Sequence, residues 1–175
     1  MLEGVALLAI GAAILLPALH SARERGRQAS CLNNLKQIGS GIHLYAADNQ
    51  DHFPPAAGKD GLQLIRQYIN NERVFRCPSA EEGEGSYAYY GAGLKMEKLS
   101  APGAIPLVSC HNHNGTEIFV VYADVHVKQM DTGKLFYSHE DLVKFAMENA
   151  DVNGKPAAKD MEIILQNARK LDGRE

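Results

Sequence analysis

Cys110-His111-Asn112-His113, with His126 shortly downstream, is the place in this chain where sulfur and imidazole donors crowd together. Tetrahedral Zn²⁺ takes about four such N or S ligands. A Cys-x-x-His spacing supplies two of them, and His126 could arrive from the next hairpin. The same stretch runs into Asn114-Gly115, a strong turn signal, so it reads more simply as a polar loop. No metal is therefore assigned. Cys110, His111, His113 and His126 stand as the candidates if one binds, and a membrane-tethered zinc enzyme built on them is one alternative function.

Other groups offer less. Asp48, Asn49 and Asp51 carry oxygens of the kind Ca²⁺ collects, but they lack the EF-hand pattern and precede Pro54-Pro55, which marks a helix end. Asn114-Gly115-Thr116 fits a glycosylation sequon, a short match that chance supplies often. Ser109 beside Cys110 and His111 is no nucleophile elbow, and no phosphate-cradling loop is present. Tyr87, Tyr89 and Tyr90 could stack a sugar ring or meet a protein, giving an anchored binding module as a second alternative. Strand positions packed against a core are the plainer reading of them. No catalytic activity and no cofactor are expected.

These residues need a scaffold, and the first fifty residues say most about it. An apolar run from Val5 to Leu19 passes without a break into Arg23–Arg27, then into an amphipathic pattern ending near Asp48. About fifteen apolar residues span roughly 22 Å as a helix, short of a hydrocarbon core of about 30 Å. A marginal membrane helix fits better than a cleaved signal peptide, since no basic residue precedes the run. Pro17 removes one helical hydrogen bond, so a kink or local melting is expected there. Cys31, Leu35, Ile38, Ile42 and Tyr45 fall at steps of four and three, a helix with one buried stripe. Gly26, Gly39 and Gly41 each weaken the helix by about 1 kcal/mol against Ala, and their small size would let another backbone approach closely.

Beyond Asp60, read as an N-cap, a shorter helix buries Leu62, Ile65 and Ile69. The period then changes. Val74–Cys77, Ser86–Tyr90, Ile105–Cys110 and Ile118–Tyr122 are short β-prone runs, and the alternation from Val125 to Met130 suggests a half-exposed strand. Asp124-Val125 is a candidate reversal, costly for Val if it needs positive φ. Ser138 caps a helix to about Ala150. After Asn153-Gly154, Pro156 opens another, with Met161, Ile164, Leu165, Ala168 and Leu171 on one face.

The net charge of −3 gives no electrostatic case for nucleic acid. Three cysteines allow one disulfide and one leftover thiol. Cys31 lies on the buried stripe and Cys77 ends a run expected to pack on that helix, so Cys31–Cys77 is the preferred pair, worth roughly 2–4 kcal/mol.

The string LLPALHSARERGRQASCLNNLKQIGSGIHLYAADN, Leu15 to Asn49, resembles bacterial prepilin-type proteins, the pseudopilins of type II secretion and their relatives. It is most like the set with a C-terminal His…Asp-Gly signature. Phe75–Ser79 is similar to that set's Phe-x-Cys-Pro-Ser, and Ala123-Asp124-Val125-His126-Val127 to its Ala-Asp-Gly-His-Val, with Val125 in place of Gly. The resemblance implies an α+β, pilin-like fold: a long N-terminal helix packed on a small antiparallel sheet, here followed by two extra C-terminal helices. It divides the chain into an apolar anchor half-helix (1–29), a globular domain (30–136) and a C-terminal helical extension (137–175). It further implies a subunit held in the bacterial inner membrane by lipid, with its head on the extracytoplasmic side. Such subunits self-associate, or join related pilin-like subunits, on an inner-membrane assembly platform. They form a secretion-system or surface filament. Gly11, Ala12, Ala13 and Pro17 would lie on the assembly helix, where small residues let helices touch.

Overall fold

The computed structural model describes residues 2–80, 86–113, 116–133, 136, 138–151 and 154–173, and the side chains of these except 2–15 and 112. The small residues Gly11, Ala12 and Ala13 thus lie outside the described side chains, and the turn residues Asn114-Gly115 and Asn153 lie outside the described residues.

One helix, α1 (Leu2–Asp48), accounts for 47 residues. It runs unbroken through Pro17, so the expected melting does not occur; proline deletes one bond while its neighbours keep theirs. Ser21 Oγ donates to the Pro17 carbonyl at 3.1 Å. In its second half Cys31, Leu35, Ile38 and Ile42 of the expected stripe are fully buried, while Tyr45 is half-buried and its neighbour Ala46 takes the buried place. Leu16 and Leu19 remain 65% and 64% exposed. Asp51 N–H donates back to the Ala46 carbonyl at 2.9 Å, and Gln50 and Asp51 take positive φ. That backbone arrangement closes the helix by catching a terminal carbonyl. Asp48 accepts the Tyr68 hydroxyl at 2.8 Å, which agrees with a helix end.

Helix α2 (Gly58–Leu64) begins two residues before Asp60, which falls in its first turn and does not cap it. Leu62, Ile65 and Ile69 are buried as expected. Val74–Cys77, read as β-prone, instead enters a 3₁₀ turn at Glu72–Phe75, because the Asn71 side chain accepts from Arg73 N–H and starts a turn locally.

Strands β1 (Ala88–Tyr89), β2 (Pro106–His113), β3 (Glu117–Tyr122) and β4 (Val127–Asp131) form an antiparallel meander in that order. Helices α3 (His139–Glu148) and α4 (Ala158–Leu171) follow. The fold is therefore α+β: a long N-terminal helix, a four-stranded antiparallel sheet and two C-terminal helices. Helix α1 crosses β2, β3 and β4. Strand β3 reads as a continuous apolar run because both its faces are covered. Phe119 and Val121 join the core on the α1 side, while Ile118, Val120 and Tyr122 pack with Leu142 and Ala146 of α3. Ser138 caps α3 by accepting from Asp141 N–H at 3.1 Å. Helix α4 adds Ile164 and Ala168 to the core, and buried Asn167 donates to the carbonyls of Tyr90 and Ala92 at 2.7 and 2.8 Å. The two helices of 137–175 thus cover sheet surface that would otherwise face water.

The β3–β4 reversal is a four-residue loop (123–126) in which Val125 N–H donates to the Tyr122 carbonyl and Val125 sits at φ +70°. A β-branched residue in the left-handed region is strained by roughly 2 kcal/mol. Replacing it with Gly relieves that strain, at about 0.5–1 kcal/mol of chain entropy and some lost contact with Gly39. Val125→Gly should therefore raise stability by roughly 0.5–1 kcal/mol in urea unfolding; an unchanged or lower midpoint would show the turn to be unstrained.

Candidate functional site

The most chemically loaded point in the fold lies where α1, the loop after Glu72–Phe75 and β2 converge. Cys31 comes from the α1 stripe, Cys77 from the loop, Cys110 and His113 from β2. One donor atom from each of the four lies within 4.8 Å of all the others. Their exposures are 0%, 1%, 0% and 0%. On a regular strand, residues three apart point to opposite faces. A register shift between Cys110 and His113 turns both to the α1 side, the kind of re-aiming that bulges perform.

The contacts have a direction. Cys77 Sγ is 3.9 Å from Cys31 Sγ and 3.3 Å from His113 Nε2. Ser79 N–H points at Cys77 Sγ at 3.5 Å, and the Tyr87 hydroxyl at Cys31 Sγ at 3.8 Å. The other imidazole nitrogen, His113 Nδ1, donates to Glu24 Oε1 at 3.2 Å, and Ser79 Oγ donates to the same oxygen at 3.1 Å. Glu24 stands seven residues, two turns, before Cys31 on the same helix face. Phe119 closes the imidazole's flank, with ring centroids 4.5 Å apart.

Electrostatics follow from these contacts. The thiols of Cys110 and Cys31, then His113 and the Ser79 N–H, hold Cys77 far below the ordinary thiol range despite its burial. Hydrogen bonding to Cys31 and Cys77, reinforced by burial, pushes Cys110 far up. Burial opposes charge on His113, but Cys31, Cys77 and Glu24 outweigh it and raise the imidazole to about 10. Burial likewise opposes charge on Glu24, yet His113, Ser79 and Arg27 keep its carboxylate below the usual range. The pocket thus favours one thiolate, Cys77, beside two thiols that hold their protons more tightly than usual.

Several expectations need correction. The Cys31–Cys77 disulfide is not formed: 3.9 Å is far beyond an S–S bond of about 2.05 Å, and none of the three cysteines is bridged. Of the metal candidates, Cys110 and His113 come together, while His111 and His126 do not join them. His111 is exposed on the opposite face, edge-on to His139 at 5.8 Å. His126 stacks on Tyr122 at 4.4 Å and contacts Asp124 at 2.5 Å, bracing the hairpin. Tyr87, Tyr89 and Tyr90 are 5%, 0% and 0% exposed, so they present no stacking surface. Sequence reasoning missed Glu24, which lies among the basic residues Arg23, Arg25 and Arg27. Its position two turns before Cys31 was the one available signal.

Residues 20–70 match the model of a family described as a protein of unknown function (DUF1559). No curated protein and no solved structure matches the chain. The matched stretch carries Glu24 and Cys31 and stops short of Cys77, Cys110 and His113, so the convergence depends on residues both inside and outside it. Among the described residues, no helix is long and apolar enough to cross a membrane.

On the other side of the sheet, the Tyr90 hydroxyl meets Ser109 Oγ at 2.7 Å and His139 Nδ1 at 2.9 Å. His139, with His111 and Asp172, also lines a cleft of about 290 Å³. Burial, then the neighbouring His111, lowers the His139 pKa, against the opposing pull of Asp172. The native state therefore holds His139 neutral at pH values where the unfolded chain already protonates it. Stability from this group is intact above about pH 6.5 and is lost as pH falls from there to the lowered native value. Comparing urea midpoints from about pH 8 to pH 5, wild type should lose more stability than His139→Gln. Parallel curves would refute a desolvated His139.

Proposed function

We propose that this chain is a pilin-like structural subunit that assembles through its first helix into a secretion-system or surface filament, making and breaking no bond. The observation that carries this reading is the division of α1. Its second half is clamped on the sheet, while Leu16 and Leu19 of its first half stand out into solvent, with apolar sequence continuing ahead of them. That apolar surface is satisfied by lipid before assembly and by neighbouring copies afterwards. The resemblance of Leu15 to Asn49 to prepilin-type proteins supports the same reading, as does the similarity of residues 123–127 to the closing signature of that set. In it the partners are further copies or related subunits on an inner-membrane platform, with the head on the extracytoplasmic side.

Electron microscopy of the full-length chain, released slowly from detergent, tests this. Thin helical filaments are expected, and Leu16→Arg with Leu19→Arg should abolish them while the head stays folded. A freely soluble monomer of the unaltered chain without detergent would overturn the proposal.

A further inference from the structure

The geometry points to a structural zinc site formed by Cys31, Cys77, Cys110 and His113, which ties the base of the filament helix to the sheet. Nothing in the assembly reading requires it, so the two stand or fall separately.

Distance is the first argument. Zn–S and Zn–N bonds of about 2.3 and 2.0 Å require tetrahedral edges of roughly 3.8 Å between sulfurs and roughly 3.5 Å from sulfur to nitrogen. The Cys31–Cys77 and Cys77–His113 separations, 3.9 and 3.3 Å, come within a few tenths of an ångström of those edges, and no two of the four donor atoms are more than 4.8 Å apart, so the ligands need to close by about 1 Å at most around an ion. Donor type is the second. Thiolate with imidazole, in a four-cornered array, selects zinc over the hard cations that prefer oxygen. The third argument is the surrounding shell. His113 turns Nε2 toward the sulfurs and is fixed there by the Glu24 carboxylate on Nδ1, the arrangement that metal-bound histidines commonly use. Ser79 N–H directed at Cys77 Sγ suits a thiolate rather than a thiol.

Burial decides the role. All four ligands are sealed from solvent, which leaves no corner for water or substrate, so the ion is structural. It would join residues 46 positions apart between α1 and the loop, and 36 apart between the loop and β2. A disulfide could link two of these segments; a metal links all three. On binding, zinc displaces the thiol protons to solvent, and no oxidation or reduction occurs.

The test measures metal and coordination on the detergent-solubilised full chain, whether or not it assembles. Purified under reducing conditions from zinc-supplied cells, wild type should hold about one zinc per chain, and cobalt exchange should give a tetrahedral thiolate spectrum. Cys110→Ser and His113→Gln should lose both signals, while His111→Ala and His126→Ala keep them. Glu24→Ala should weaken zinc about 10–100-fold in competition with a chelator. X-ray absorption on wild type guards against variants that fail to fold: three sulfurs and one nitrogen support the site, and a shell of oxygen and nitrogen alone overturns it. A reduced, folded chain that takes up neither zinc nor cobalt also overturns it, as does recovery of a Cys31–Cys77 disulfide with one remaining thiol.

Discussion

Ile38→Ala should cost the head about 2–5 kcal/mol, the range for truncating a buried aliphatic side chain where the surroundings cannot collapse. Ile38 is fully buried in the middle of the α1 stripe, where that helix lies across β2, β3 and β4. A domain of this size has a net stability of only about 5–15 kcal/mol, so one such cavity consumes a large part of it. Leu19→Ala on the same helix makes the control. Leu19 is 64% exposed, and its truncation should change the urea midpoint little while weakening assembly. Equal effects at the two positions would mean that the helix does not divide into a clamped and a projecting half.

Gly61→Ala should destabilise by about 1–3 kcal/mol, against the sign that helix propensity alone suggests. In an exposed helix, Gly to Ala gains about 1 kcal/mol. At Gly61 the new methyl carbon would sit 2.1 Å from the Ala56 carbonyl oxygen and 2.6 Å from Tyr89 Cδ1. Neither can step aside easily: one is backbone, and the other belongs to a fully buried ring whose hydroxyl donates to the Pro54 carbonyl at 3.1 Å. Gly26, with nothing within 4 Å of such a carbon, supplies the opposite case. Gly26→Ala should stabilise by up to about 1 kcal/mol. If both substitutions stabilise in thermal or urea unfolding, α2 does not pack on β1 closely enough to exclude a methyl group at Gly61.

Gly39 and Gly41 show how far a local reading reaches. Their smallness correctly signals close approach, mainly by side chains: Val121 and Val125 over Gly39, where the Val125 backbone also comes near, and Ile69 over Gly41, whereas nothing comes close to Gly26. In the same way Tyr87, Tyr89 and Tyr90 read correctly as packed against a core, but only Tyr89 lies in a strand, and separate segments bury them: Cys31 and Asn34 of α1 meet Tyr87, Pro54 and Gly61 meet Tyr89, and His139 and Asn167 meet Tyr90. The α4 face is legible in Ile164 and Ala168. Asn167 is not, because its use is to satisfy two carbonyls at the end of β1.

What the sequence determines alone is whatever repeats within a few residues. The α1 stripe, the apolar β3 run, the Ser138 cap and the poor fit of Val125 to its turn are of this kind, since helical and strand periods and backbone sterics act locally. The meeting of Cys31, Cys77, Cys110 and His113 is of the other kind. It depends on a 3₁₀ turn started by Asn71, a register shift in β2 and a glutamate two turns back along α1. Each lies in a separate segment, and only the packing of helix on sheet sets their donors a few ångströms apart.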